Sequence, residues 1–276
     1  MNRIIQFPGK VAATAFATSL FMSLPMIALP TFAEEPGPIA DNSFLIEEAY
    51  NQEEGVVQYI QAFQYSHQTK GWLYTFTQEL PFPNQTHQLS YVIPVAYTGD
   101  PDGETGIGDV LLNYRYQLVA NDTLAIAPRI SVIAPTGDEA KGLGTGATGY
   151  QVNLPVSLLL NDKWITHWNL GATFTPNAKD GVHTKQDLHG YNYGASVIYL
   201  QSNTFNWMLE YVKTSMDTFG GDGSKVKDDA AFINPGFRFA KNYSSGLQIV
   251  SGLSFPIGVG PSKDDNGFLL YLSFEK

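Results

Sequence analysis

Apolar and polar residues alternate along most of the chain after residue 56. Val110, Leu112, Tyr114, Tyr116 and Leu118 are apolar, while Asp109, Asn113, Arg115 and Gln117 lie between them. Tyr150, Val152, Leu154, Val156, Leu158 and Leu160 interleave with Gln151, Asn153, Pro155 and Ser157. Phe205, Trp207, Leu209 and Tyr211 do the same with Asn206, Met208 and Glu210. A period of two sends successive side chains to opposite sides of a strand, so each run has one apolar and one polar face. The pattern predicts strands over 56–66, 72–79, 85–97, 108–119, 124–134, 150–160, 164–175, 188–200, 205–213, 231–239, 246–255 and 267–274. Each is about nine residues or more, close to what a tilted strand needs to cross a bilayer.

The connections between these runs alternate as well. Segments 80–84, 120–123, 161–163, 201–204 and 240–245 are short. Segments 98–107, 135–149, 176–187, 214–230 and 256–266 are longer, polar and glycine-rich; only the first on that side, 67–71, is short. Short turns at one end and long loops at the other describe an outer-membrane barrel, and an even strand count returns both ends of the barrel to the periplasmic side. A soluble β-sandwich also alternates, but its strands usually run to about five or six residues. Aromatic residues further separate the two. Tyr97, Phe174, Tyr191, Tyr211 and Phe268 fall near the loop ends, and Tyr116, Trp164, Tyr199, Phe205, Trp207, Phe239 and Phe274 near the turn ends. Two such belts match the two interfaces of a membrane. The expected fold is all-β: an antiparallel transmembrane β-barrel of about twelve strands.

The first residues bear on the compartment. Arg3 and Lys10 precede an uncharged, largely apolar stretch from Val11 to Leu29, which ends at Pro30 and Thr31-Phe32-Ala33 before Glu34-Glu35. A basic head, an apolar middle and a small-residue exit read as a secretory signal peptide, cleaved after Ala33. The alternative is a spanning helix, against which Pro25 and the cleavage pattern speak. The expected organisation is a signal peptide over 1–33, a periplasmic or lumenal segment over 34–55 and a barrel over 56–276. In the middle segment, Phe44-Leu45-Ile46 and Glu47-Glu48 could line the lumen, rest at the periplasmic mouth or belong to a loose leader.

Composition narrows the partners. The chain carries a net charge of −10, which argues against nucleic acid. It contains no cysteine, so neither disulfides nor thiolate metal sites can hold it. With 15 Tyr and 17 Phe against few charges, it must bury much apolar surface or turn it toward lipid.

Certain motifs resemble a known family. Gly106-Ile107-Gly108-Asp109 leads into a strand ending Tyr114-Arg115-Tyr116. Pro135-Thr136-Gly137-Asp138 closes the next strand and precedes Gly142-Leu143-Gly144-Thr145-Gly146 and the strand through Leu154. This resembles the outer-membrane transporter family named for the meta-pathway of phenol degradation, most clearly from Gly106 to Trp168. The resemblance implies an outer-membrane barrel passing aromatic or other hydrophobic compounds, and it supplies no catalytic residues. One departure is the C-terminus, where Phe274 is followed by Glu275-Lys276 instead of ending the chain.

With the apolar face toward lipid, the lumen receives Glu79, Asp109, Asn113, Arg115, Arg129, Asn153, His167, Glu210 and Arg238. Arg115 and Arg129 lie on neighbouring strands and could face each other. They would then form an anion-attracting constriction, or else a structural ion-pair network with Asp109, Glu79 or Glu210. Ser157 and His167 also point inward, but hydrolysis needs an orienting third residue and an oxyanion site besides. Asp100-Pro101-Asp102-Gly103-Glu104 is too short for a calcium loop and reads as a solvated acidic turn.

These readings lead to a passive outer-membrane channel of a Gram-negative bacterium, for small, aromatic or hydrophobic compounds. It would need no cofactor or metal and catalyse nothing, with outer-membrane lipid and a small-molecule permeant as partners. The alternatives are a structural or adhesive barrel acting through its loops and a barrel-embedded lipid hydrolase.

Overall fold

The computed structural model describes residue 39, residues 41–182 and residues 185–276. The signal-peptide reading of 1–33 lies outside the described residues. Twelve wall strands form a closed antiparallel barrel. They are β1 (Gln58–Ser66), β2 (Trp72–Pro81), β3 (His87–Tyr97), β4 (Thr105–Ile107, Val110–Tyr116 and Val119–Ala120), β5 (Leu124–Ile126 and Arg129–Ala134) and β6 (Gly149–Asn161). The other six are β7 (Trp164–Ala178), β8 (Gln186–Ser202), β9 (Phe205–Phe219), β10 (Lys225–Asn242), β11 (Gln248–Ser254 and Ile257–Gly258) and β12 (Gly267–Glu275). Each pairs with its sequence neighbours, and β12 returns to β1 from Gln58↔Glu275 to Ser66↔Gly267, which removes every free edge.

The faces follow the alternation. On β6, Tyr150, Val152 and Leu154 are exposed outward, whereas Asn153, Pro155 and Ser157 are buried inside. The outer surface continues with Ile130, Trp168, Leu170, Tyr191, Trp207 and Leu209, apolar side chains that water would penalise and lipid accommodates.

Three of the wall strands carry a proline well inside their length, a position ordinarily closed to this residue because it has no N–H for the ladder. Each lies opposite an interruption in a neighbour. Pro94 of β3 faces the break in β4, where the Gly108 N–H donates to its carbonyl at 2.9 Å. Pro155 of β6 faces the break in β5 and accepts from Ala127 at 3.2 Å; Pro235 of β10 faces the break in β11 and accepts from Phe255 at 2.9 Å. The missing donors and the bulges therefore coincide.

Two expectations change. Residues 214–230 read as a loop, yet β9 and β10 continue through most of it as a paired ribbon, from Thr214↔Ala230 to Phe219↔Lys225. Its charge obscured the strand pattern: Asp217 meets Lys227 at 2.7 Å and Lys225 at 3.6 Å across the ribbon. The inward face is also not polar throughout. Ile198, Leu200, Met208, Ala240 and Val250 form an apolar cluster near the turn end, packed with Ile39 and Phe44 from the N-terminal segment.

Candidate functional site

The site is the lumen, and the chain fills part of it with its own N-terminal segment. Residues 41–52 have no regular secondary structure, so apart from two bonds within the segment, Ser43 N–H to the Ile46 carbonyl and Glu48 N–H to Asn42 Oδ1, its peptide groups need partners from elsewhere. Inward side chains of the wall supply them. Glu210 accepts from the N–H groups of Leu45 (2.9 Å) and Ile46 (3.2 Å). Asn169 accepts from Glu47 N–H at 2.9 Å and donates to the Glu47 carbonyl at 2.8 Å. Gln117 likewise accepts from Asn51 N–H and donates to the Ala49 carbonyl, both at 2.7 Å. Gln88 accepts from Gln52 N–H at 2.7 Å, and Arg238 donates to the carbonyls of Asp41 and Asn42. The polar lining is thus complementary to a particular stretch of main chain.

Apolar contacts hold the same segment. The Phe44 ring meets Tyr271 edge-on at 6.0 Å. It lies over Gly236 and Gly252, where an added Cβ would come within 2.6 Å of it in each case. At Gly194 a Cβ would approach Ile46 Cδ1 to the same distance. Wall glycines therefore make room for the occupant.

The arginines are where the alternation placed them, directly opposite in the β4–β5 register. Their charge is not left free. Arg115 is buried and donates to Asn51 Oδ1 (2.9 Å) and to the carbonyls of Glu48 (3.0 Å) and Tyr50 (2.7 Å), with Glu79 at 3.7 Å. Arg129 grips Glu47 through two parallel bonds, Nη2 to Oε1 at 2.7 Å and Nε to Oε2 at 3.0 Å. It also donates to Asn113, Ser131 and Gln151. Of the acids expected in an arginine network, Glu79 takes part; Asp109 and Glu210 do not. Glu210 serves the N-terminal segment and Asn234. Asp109 shares the inward parity but accepts from Gly137, Thr145 N–H and Thr145 Oγ1, pinning the β5–β6 connection at the rim. The glycine-rich motifs meet there: a Cβ on Gly144 would reach Asp109 Oδ1 at 2.4 Å, and one on Gly106 would reach Leu143 Cδ1 at 2.5 Å.

Burial and charge act on the segment's acids. Glu48 is pushed up to about 8 by burial and by Asp41, against the pull of Arg115 and Arg238. Burial also opposes the charge of Glu47, but the Arg129 guanidinium outweighs it and holds that carboxyl below the usual range.

Ser157 and His167 do meet, with Oγ 2.7 Å from Nδ1. Ser157 Oγ already accepts from Ala49 N–H at 2.8 Å, and both side chains are buried beneath the segment. The pair docks main chain and has no exposed nucleophile. In the acidic turn, Asp100 accepts from Tyr97 Oη at 2.7 Å and Thr98 Oγ1 from Glu104 N–H at 2.9 Å. No cluster of His, Asp or Glu suited to a metal occurs among the described residues.

Two adjoining cavities remain on the loop side of the segment. One, of about 400 Å³, is bounded by Phe44 to Glu47 and by β1 to β5, with Ile60, Leu73, Val92 and Leu111 giving it an apolar wall. The other, of about 340 Å³, lies toward β6 to β10 and includes Asn153, Asn192, Tyr193 and Lys213. Leu45, Ile46, Glu47, Gln64, Arg129 and Gln151 border both. Sequence reasoning missed Glu47 as the partner of Arg129. The available signal was a set of inward charges in need of partners, beside an acidic stretch just before the first strand.

Solved structures share this architecture. An outer-membrane channel from Pseudomonas putida F1 superposes with a TM-score of 0.63 at 13% identity, over 82% of this chain and 97% of that one. The NanC porin gives 0.51 at 10% identity, over 79% and 98%. Curated proteins give no sequence match. The model of the family described as MetA-pathway of phenol degradation matches residues 35–259, most of the barrel together with the segment inside it. The chain belongs to that family.

Proposed function

We propose that the protein is a passive outer-membrane channel for small molecules, closed on its periplasmic side by residues 41–52. The observation that carries this reading is the pair of adjoining lumenal cavities, walled by mixed polar and apolar side chains, that stop at the segment. Twelve strands make a barrel wider than the packed eight-stranded type and narrower than the open sixteen-stranded porins. Such a lumen suits a selective path for one small molecule at a time. The apolar wall formed by Ile60, Leu73, Val92 and Leu111 favours permeants with an aromatic or aliphatic body.

No catalytic step is part of this reading, because the Ser157–His167 pair is occupied by Ala49. Planar-bilayer recording on the refolded protein tests the proposal. The full-length mature chain should show low or intermittent conductance, and a variant lacking residues 34–54 should conduct steadily. A shortened barrel that inserts but never conducts would refute it.

A further inference from the structure

We propose that Arg129 is a binding site for the carboxylate of a permeant, and that Glu47 occupies it as a built-in competitor whose displacement loosens the segment. The inference rests on the channel reading above and gives it a ligand class and a trigger.

The geometry is that of ligand recognition within one chain. Two parallel N–H···O bonds from a guanidinium to a carboxylate are a specific fit for that group, stronger than a single neutral bond. The rest of the guanidinium is fixed by Asn113, Ser131 and Gln151, all wall residues, so the fork stays aimed at the lumen when its partner leaves. The two partners differ in access. The Arg129 side chain is 10% exposed and that of Glu47 is 31% exposed, on the border of both cavities. A carboxylate arriving from the loop side can therefore approach Arg129 beside Glu47. The larger cavity supplies an apolar wall for the remainder of such a molecule, and its volume accommodates a single-ring acid.

Other anchors of the segment do not offer this opening. Arg115 and Arg238 are buried, and their N–H groups are spent on the segment's carbonyls and on Asn51 and Asn206, so neither presents a fork to an arriving carboxylate. Glu47 is the only one of the segment's described acids with a guanidinium in a bidentate grip. Because it is tethered, its effective concentration at Arg129 is roughly millimolar or above. A competing permeant must reach that range, which is reasonable for passive entry and would keep the path shut when the acid is scarce.

Benzoate is the probe, with benzyl alcohol as its uncharged counterpart. The full mature chain in detergent micelles is titrated with each by calorimetry. A Ser43→Cys variant reports the segment: Ser43 is buried against Ser196, and the native chain has no other thiol. Benzoate should bind and speed labelling of Cys at this position, and benzyl alcohol should do neither. Glu47→Gln should tighten benzoate binding about tenfold or more, since a site blocked nine-tenths of the time loses that factor in apparent affinity. Arg129→Gln should abolish benzoate binding. Should Glu47→Gln fail to fold, the wild-type titration, the thiol labelling and Arg129→Gln still decide the matter. Equal binding of the acid and the alcohol, or labelling indifferent to benzoate, would overturn the proposal. Conductance of the same wild-type preparation is scored separately, so a conducting barrel without benzoate binding refutes only the site.

Discussion

Replacing Leu154 by Arg tests the assignment of faces at its most sensitive point. Leu154 points outward from β6 and is 40% exposed, while its register partner Leu170 on β7 is 62% exposed. Tyr150, at the loop end of the same strand, marks an interface. Four residues separate the two, or about 13 Å along the strand at roughly 3.4 Å per residue. With a tilt of about 40°, that becomes roughly 10 Å of depth, near the centre of an apolar band about 25 Å tall. An arginine there should cost about 2–4 kcal/mol.

The control must sit at the same depth and face the water. Asn153 does not qualify, because it is buried beside Arg129, its own register partner. Asn192 does: it pairs with Gly171, which pairs in turn with Asn153, and it borders the second cavity. Asn192→Arg should change stability by less than about 1 kcal/mol, in the range of exposed polar substitutions. Urea titration of both variants folded into lipid vesicles, followed by tryptophan fluorescence, gives the comparison. Equal losses, or a larger loss for Asn192→Arg, would show the apolar face is not in lipid.

Other outcomes follow from the same structure. N-terminal sequencing of protein extracted from the outer membrane should begin at or near Glu34; an intact Met1 would defeat the signal-peptide reading. Gly252→Ala should push Phe44 from its seat and raise the open fraction in bilayer recordings, with barrel insertion unchanged; unaltered gating would mean the ring is not an anchor. Docking should also weaken with alkali. The Glu48 carboxyl, at about 8 when docked, keeps a proton that the released segment gives up in the ordinary carboxylate range. Its stabilising effect is complete below that range and is lost as pH rises toward about 8. Glu47, held low by Arg129, acts oppositely and only on the acid side. Conductance should therefore climb between about pH 5 and about pH 8, and Glu48→Gln should flatten the rise.

The wall was legible in the sequence because lipid imposes a strict rule on every strand: apolar outward, at period two. That rule placed Leu154 outside, set Arg115 against Arg129, and separated turns from loops. It fails where lipid has no say. The β9–β10 ribbon beyond Thr214 carries Lys225, Lys227 and Asp217 on strands, because their pairing is with one another and with solvent. The lumen was legible only in part. Polar inward residues announce a wet or hydrogen-bonded interior, yet they do not say whether water, a solute or main chain satisfies them. Residues 41–52 lack periodicity, since their bonds run to ten different strands, and no local pattern encodes such partners.

Asp41 has a bearing on how the molecule is assembled. Its Oδ1 accepts from Gln58 on β1 at 2.9 Å and from Tyr271 on β12 at 2.6 Å, and Gln58 also reaches Ser273 at 3.1 Å. One carboxylate thus straddles the seam where the first and last strands meet, joining residues 230 apart in sequence. Bringing such distant ends together carries a loop-closure entropy that the contacts at the seam must offset. Asp41 and Gln58 are only 17 residues apart, so the β1 half of this contact is local and the β12 half is not. In this sense the segment belongs to the wall as well as to the lumen: a single carboxylate inside the barrel ties its first strand to its last.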